Sequence, residues 1–237
     1  MASRPIKGFL LGITLLFPVL IYLFLQMFGE NKYALPVFFT DGVSSWLENP
    51  PEKREYDTKL YYAGEGSQQD WEQNCMYSPE QHSVGSTTLK TLDGLEFKTG
   101  DLTTAYVVGF LPLVEGVEDF NFILSELMRI REEYTEDEVQ LVLVFGDSAL
   151  SNRQYPIVSQ LAGWHGVLGL PEEVIDWANC QLVLPHALGY NLATDEPYTT
   201  MLTLVDKQHR IRGYFDGTLQ AETDRLNLEL RVLLQED

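Results

Sequence analysis

A run of 21 residues without a charge, from Gly8 to Phe28, is the feature that most limits how this chain can fold. At 1.5 Å per residue, a helix of that length would be about 30 Å long and would match the hydrocarbon core of a bilayer. Arg4 and Lys7 precede the run and no acidic residue does, so the positive-inside rule predicts a cytoplasmic N-terminus. The run therefore predicts an uncleaved single-pass anchor with the remaining chain outside the cytoplasm.

Two other interpretations of this run were weighed against the anchor. A cleaved signal peptide has an apolar core of only about 7–15 residues and a small-x-small cleavage site. Here the segment from Gln26 to Glu30 has no such site, and no cysteine follows that could accept a lipid. A buried helix of a soluble domain is disfavoured by the position of the run at the extreme N-terminus. The predicted location is the bacterial cytoplasmic (inner) membrane, with the C-terminal domain on the periplasmic side.

The chain beyond this anchor changes in character near residue 86. Residues 1–30 are predicted to form the cytoplasmic tip and the transmembrane anchor. Residues 31–85 contain Pro50-Pro51, a charged run and a polar patch, which predict an extracytoplasmic linker with local structure. Residues 86–237 carry regular hydrophobic patterns, and we expect them to form one folded domain.

The order of patterned segments in that domain predicts its fold class. The continuous apolar run at 105–111 is typical of a strand covered on both faces, and 139–145, apolar except for Gln140, is predicted to be a second buried strand. Between them, 119–134 has apolar residues at steps of three and four, which predicts an amphipathic helix. A hairpin at 86–97 precedes this unit, whereas a helix from Pro171 and a hairpin over 201–215 follow it. A last helix is predicted over 218–234, with Thr218 as the candidate cap and Leu219 in its buried stripe. The order predicts an α/β, thioredoxin-like sandwich: a central mixed sheet flanked by helices.

Several short segments of the predicted domain have a distinctive sequence. Two lie near its end, Leu204–Lys207 (LVDK) and Arg210–Thr218 (RIRGYFDGT), and earlier ones are Thr91–Gly94 (TLDG), Asp101-Leu102 and the strand Tyr106–Phe110. The two late segments resemble the closing hairpin of the Sco/SenC family of membrane-anchored, thioredoxin-fold copper chaperones, and the earlier ones resemble that family's first hairpin and first core strand. The resemblance covers about residues 86–234, and it implies a thioredoxin fold and a role in copper handling or respiratory-complex assembly.

The resemblance also implies where copper ligands would stand. The family uses a CxxxC after the first core strand and a histidine before the closing hairpin, a soft ligand set that suits copper. In this chain the thiol positions fall on Glu115 and Asp119, and the histidine position falls near Tyr198. The resemblance therefore implies a degenerate member without these ligands. Glu115 and Asp119 could in principle hold a hard cation, although a solvated loop and an acidic helix start are the usual reading of such residues.

The remaining candidates for chemistry are cysteines and histidines. Cys75 and Cys180 are the two cysteines of the chain. Outside the cytoplasm they could form a disulfide, but they could also be free thiols, since sequence does not reveal how close their Cα atoms lie. No histidine stands at a metal-site spacing, and the position of His82, seven residues after Cys75, is only a weak sign of a shared site. The four histidines are His82, His165, His186 and His209.

Charge and missing motifs exclude several functions. The formal net charge of −19, from 16 basic and 35 acidic residues, argues against a nucleic-acid partner. The sequence has no phosphate-binding GxxxxGK[ST] or GxGxxG and no GxSxG nucleophile elbow. It predicts no catalytic residue, no metal and no cofactor.

We expect a non-enzymatic accessory or assembly protein that binds a protein partner, linked to a respiratory or copper-handling membrane complex. The loop Leu111–Val114 is the expected contact surface. One alternative is a copper-binding or thiol-redox protein that uses Cys75, His82 and Cys180 in a non-standard arrangement. Another is an integral accessory subunit of a larger membrane complex.

Overall fold

The computed structural model of the chain describes residues 14, 16–23, 34–48, 75, 77–110, 118–146, 164–184, 189–191 and 196–236. Its contacts divide the chain into two compact units, Met1–Ala34 and Leu35–Asp237. The sheet and nearly all of the hydrophobic core belong to the second unit.

The first unit contains helical residues at 14 and 16–23, inside the run predicted as an anchor. The rest of the predicted span Gly8–Phe28 lies outside the described residues. Large apolar side chains are exposed here, among them Leu16, Phe17 and Tyr22. Among the described residues, no helix combines the length and the apolarity needed to cross a membrane. The anchor stays a prediction.

The second unit contains the predicted strands and helices in their predicted order, together with one short helix and three strands that the sequence patterns did not predict. The strands are β1 (Thr88–Thr91), β2 (Glu96–Lys98), β3 (Ala105–Phe110), β4 (Val139–Gly146), β5 (Trp164–Gly169), β6 (Gly189–Asn191), β7 (Glu196–Tyr198), β8 (Met201–Val205) and β9 (Ile211–Asp216). The helices are α1 (Val43–Glu48), α2 (Glu118–Glu133), α3 (Pro171–Asp176), which continues as a π-helical turn over Trp177–Gln181, and α4 (Gln220–Glu236).

Seven strands form one mixed sheet in the order β2-β1-β5-β4-β3-β8-β9. The three central strands β5, β4 and β3 are parallel, and the outer strands pair antiparallel. All six residues of β3 are buried, as expected for a strand with both faces covered. The predicted α/β class with a mixed central sheet is confirmed.

Two helices cover one side of this sheet, which we call the helix face. Ile123, Leu127 and Ile130 of α2 and Leu226 and Leu230 of α4 point into one apolar cluster with that side of the sheet. Their spacing of three, four and seven residues gives each helix a continuous apolar stripe. The hydroxyl of Tyr134, just after α2, donates to the carbonyl oxygen of Asn227 at 3.0 Å and joins the two helices.

The start of α4 differs from the prediction at Thr218. The Asp216 carboxylate accepts hydrogen bonds from the backbone N–H and the hydroxyl of Thr218 (3.0 and 2.7 Å), which makes a turn instead of a first helical residue. The helix begins at Gln220, and Leu219, expected in the buried stripe, is 52% exposed.

The opposite side, the strap face, is covered mostly by irregular chain. Phe38, Phe39 and Val43 pack there with α3, with its π turn and with the strap, which is residues 77–85. The segments 34–48 and 77–85 both fall within the region predicted as a linker, and each contributes buried side chains to this core. The strap face is therefore built from short pieces that lie far apart in the sequence.

A buried arginine closes the second unit where its first and last residues meet. Arg212 in β9 is 2% exposed and donates to the carbonyl oxygens of Leu35 (2.8 Å) and Pro36 (3.0 Å). Its guanidinium also pairs with Asp206 (3.0 Å) and with Glu236 of α4, which in turn accepts the N–H of Leu35. The beginning of the unit, the closing hairpin and the last helix are thus held at one point.

Candidate functional site

The carboxyl end of β3 is the position where the resembled family carries its thiols. The loop 111–117, with Glu115 and the expected contact residues Leu111–Val114, lies outside the described residues. Asp119 lies in the first turn of α2, and Tyr198 is the last residue of β7. The N–H of Thr199 donates to the carbonyl oxygen of Phe110 at 2.9 Å. The segment after Tyr198 therefore lies against the end of β3.

An aromatic pair lies beneath this end of the sheet. The rings of Phe110 and Trp177 are 5.6 Å apart, and both side chains are fully buried. The Trp177 indole nitrogen has no hydrogen-bond partner among the described residues. Trp177 begins the π turn, so the end of β3 touches the same turn that carries Cys180.

Cys75 and Cys180 form a disulfide bond that joins residues 105 positions apart. Their Cα atoms are 5.2 Å apart, and both residues are partly exposed. Cys180 lies in the π turn, three residues after Trp177. The bond covalently ties the chain just before the strap to the end of α3.

Three hydrogen bonds hold the strap to the same turn beside the disulfide. The Tyr77 hydroxyl donates to the carbonyl oxygen of Asn179 (3.0 Å), and His82 Nε2 donates to that of Gln181 (2.7 Å). The Gly85 N–H donates to Oε1 of the Gln181 side chain (2.8 Å). A Cβ on Gly85 would stand 2.6 Å from that oxygen, so a larger residue here would displace the Gln181 side chain.

His82 is half-buried between aromatic rings on the strap face. The ring centroids of Phe39 and Tyr77 each lie 6.0 Å from that of His82, and both pairs are edge-to-face. Burial lowers the pKa of His82 below its usual value, against the opposing effect of the bond to Gln181. The imidazole is therefore neutral at pH 7, with its proton on Nε2. In the sequence, the seven-residue spacing to Cys75 is the one sign of this site.

The other histidines have different positions. His165 Nε2 donates to Oε1 of Gln140 (2.9 Å), and its ring lies 4.9 Å from that of Phe97. His209, at the turn between β8 and β9, has a φ of +59° and lies 3.2 Å from the Tyr106 hydroxyl through Nδ1. Burial, and secondarily the charge of Asp206, raise the pKa of Tyr106. His186 lies outside the described residues.

Neither histidine joins the cysteines in a metal centre. Within the part of the chain that the structure describes, no group of three or more His, Cys, Asp or Glu side chains is placed to hold a metal ion. The Asp206 carboxylate is instead held by arginines: hydrogen bonds from Arg210 and Arg212 outweigh the effect of burial and lower its pKa. This ion cluster is structural.

A surface groove of about 550 Å³ lies elsewhere, at the edge of the sheet. It opens where β1 and β5 diverge, since these strands pair only at Lys90–Leu168 and Thr91–Val167. The exposed side chain of Leu170 lines one wall.

Comparison with known proteins places the fold. No family model matches the sequence, and no curated protein matches it significantly. Among solved structures, the chain is similar to a SCO1/SenC family lipoprotein from Bacillus anthracis, with 13% identity and a TM-score of 0.50. That match covers 64% of this chain and 95% of the lipoprotein.

A second similar structure is BsSco, a member of the Sco family of cytochrome c oxidase assembly proteins. It is 13% identical, with a TM-score of 0.51, and the match covers 66% of this chain and 95% of BsSco. These likenesses confirm the resemblance at the level of fold: the second unit has the thioredoxin-like fold of Sco proteins.

Proposed function

We propose that this chain is a membrane-anchored, extracytoplasmic accessory or assembly protein whose thioredoxin-like domain binds a protein partner without catalysing a reaction there. The observation that carries the proposal is the use of the cysteines. The chain has two, and both are in the Cys75–Cys180 bond, so no thiol is left for the loop after β3. A scaffold that keeps its packed core but has no nucleophile at the family's reactive position is suited to binding.

The proposed contact surface is the loop after β3. Its sequence from Leu111 to Val114 is apolar, and it follows a strand end that accepts a hydrogen bond from Thr199 and packs against Trp177. A rigid base under an apolar loop favours recognition of a protein, because little conformational entropy is lost at the base on binding.

The disulfide and the N-terminal sequence support the proposed location. Disulfides persist in oxidising compartments and are rare in the cytoplasm. The charge-free run Gly8–Phe28 and the preceding Arg4 and Lys7 favour an anchor with its N-terminus inside. We therefore place the domain on the outer face of a bacterial cytoplasmic membrane.

The class of partner is taken from the similar structures. BsSco belongs to a family of cytochrome c oxidase assembly proteins, and we propose a respiratory or copper-handling membrane complex as the partner here. The net charge of −19 favours a partner with a basic surface.

The test is co-purification of the full-length chain from its native membrane in detergent, after crosslinking. We expect subunits of one membrane complex in the wild type and at least a tenfold loss with Leu113→Glu, which places a charge in the apolar loop. The matched control is Leu228→Glu, an exposed leucine on α4. Equal recovery from both variants would refute the proposed surface. Stoichiometric recovery without crosslinker would identify an integral subunit instead of an assembly factor.

A second candidate function is copper binding by the reduced protein at Cys75, Cys180 and His82. It is favoured by one observation: His82 donates from Nε2 to the residue next to Cys180, which fixes its tautomer and keeps Nδ1 as the available ligand atom. Titration of the reduced full-length chain with Cu(I) tests this candidate. Tight one-to-one binding that Cys75→Ser abolishes would favour it over the binding role.

A further inference from the structure

The disulfide is exposed at both ends and is not the only link between the two segments that it joins. Cys75 and Cys180 are each partly exposed, so the bond lies near the surface and not in the core. A structural disulfide is commonly protected inside the fold, whereas exposed ones belong more often to exchanging or regulatory pairs. Exposure alone does not distinguish a structural disulfide from an exchanging one. The contacts around the two cysteines are therefore informative as well.

Those contacts keep the two cysteines together without the bond. Tyr77, two residues after Cys75, donates to Asn179, one residue before Cys180. On the other side of Cys180, Gln181 binds the strap twice, through its carbonyl oxygen to His82 and through its side chain to Gly85. The strap is also tied to the sheet, because the Val84 N–H donates to the His209 carbonyl oxygen (2.8 Å).

Such anchors determine what happens after reduction. If the disulfide alone held the strap, reduction would release it, and the thiols would separate. With the anchors in place, the thiols stay close, and each has a high effective concentration for the other. The bond can then re-form without refolding of the chain.

We propose that Cys75–Cys180 is a reversible dithiol/disulfide couple that exchanges with a dithiol of another protein. A thiolate of that protein attacks one sulfur, the Cys75–Cys180 bond breaks, and the other sulfur leaves as a thiolate. The second thiolate of the partner then attacks the mixed disulfide and releases the first sulfur. The partner loses two electrons and becomes a disulfide, while Cys75 and Cys180 take up two protons and become thiols.

This couple lies away from the carboxyl end of β3, where the resembled family places its thiols. It is linked to that end through the π turn, which carries both Cys180 and Trp177. The proposal goes beyond the partner-binding role and does not depend on it, because thiol exchange is measured without the membrane complex.

The test is a redox titration of the full-length chain in detergent. The protein is equilibrated at stepped ratios of reduced to oxidised dithiothreitol, quenched in acid and alkylated with a mass-tagged maleimide. We expect one two-electron transition with an unchanged near-ultraviolet circular dichroism spectrum. Reduction that occurs only together with loss of that spectrum would overturn the proposal, since the bond would then be a structural staple.

Matched tyrosine variants test the role of the anchors. Tyr77→Phe removes the bond to Asn179, and we expect about fivefold easier reduction. Tyr134→Phe removes a hydroxyl that donates to a backbone carbonyl at the same 3.0 Å, on the helix face, and should leave the midpoint unchanged. Gln181→Leu is the second anchor variant, should Tyr77→Phe fail to fold. Equal midpoints in wild type and both anchor variants would refute preorganisation by the strap.

The probe for exchange with a protein is a reduced thioredoxin whose resolving cysteine is replaced by serine. We expect a mixed disulfide at Cys75 or Cys180 in the folded chain, detected by mass spectrometry. Reduction by dithiothreitol without any thioredoxin adduct would overturn the exchange with protein dithiols.

Discussion

The two sides of the sheet are stabilised in different ways. On the helix face, α2 and α4 lay long apolar stripes on the strands, and their ends are joined by exposed ion pairs such as Arg231–Glu133. On the strap face, short segments distant in sequence are held by a disulfide and by three hydrogen bonds to the π turn, one of them from the half-buried His82. One face depends on periodic burial, and the other depends on specific links that can be broken singly. We therefore expect the strap face to open first.

The largest expected effect on stability comes from the buried arginine that pairs with the end of α4. Arg212→Leu leaves Asp206 and Glu236 without their buried partner, and we expect a loss of about 4 kcal/mol in the free energy of unfolding. Chemical denaturation measures the change. Arg231→Leu, which breaks the exposed pair with Glu133, is the control and should have no measurable effect. Similar losses in both variants would contradict the distinction between buried and exposed ion pairs on this face.

Removing the disulfide tests the strap face directly. We expect Cys75→Ala/Cys180→Ala to lose about 3 kcal/mol, because the bond closes a loop with a sequence separation of 105 residues. Hydrogen exchange should show faster exchange at strap amides such as Val84, with little change in α2 and α4. Uniform acceleration over the whole sheet would mean that the two faces unfold as one unit.

A single anchor should have a smaller effect than the covalent bond. Gln181→Leu removes the acceptor of the Gly85 N–H, and we expect a loss of about 1 kcal/mol. Gln208→Leu removes a hydrogen bond to Arg210 at the exposed turn between β8 and β9 and serves as the control. Equal shifts of the denaturation midpoint in Gln181→Leu and Gln208→Leu would contradict a specific stabilising role of the hydrogen bond between Gln181 and Gly85.

The smallest effect is a mild acid sensitivity of the strap face. Burial lowers the pKa of His82 and of His165, whose ring packs on Phe97 of the same core. The unfolded chain therefore binds these protons more tightly than the folded chain does. The free energy of unfolding therefore decreases as the pH falls from about 6.5 toward the lowered pKa values of the folded state. Above this window the stabilisation is fully present. We expect strap exchange to accelerate in this window, and His82→Gln should reduce the pH dependence.

The helix face could be predicted from sequence because its signals are local. The apolar runs of β3 and β4 and the stripes of α2 and α4 need only their own residues to be recognised. Leu219 was misassigned because the Asp216 turn delays the helix start, an effect of one side chain that periodicity does not carry.

The strap face could not be predicted in the same way. Strand β5 was missed because two glycines and a histidine interrupt its apolar pattern (WHGVLG). The aromatic pair Phe38-Phe39 carries no period that would place it in the core. The pairing of Cys75 with Cys180 was left open, since it depends on a spatial approach that only the folded chain shows. The hydrogen bond from His82 to Gln181 likewise forms only because folding brings the strap against the π turn.

The meeting of Leu35 and Glu236 at Arg212 has a topological consequence. The compact unit begins and ends within one hydrogen-bonded contact, so a short glycine-rich connector could join its ends without rerouting the chain. New termini could then be opened at the exposed Asp93-Gly94 turn, where Gly94 has a φ of +86° and a would-be Cβ meets no neighbour within 4 Å. Such a circular permutant would free the unit from residues 1–34 and present its ends at the far edge of the sheet.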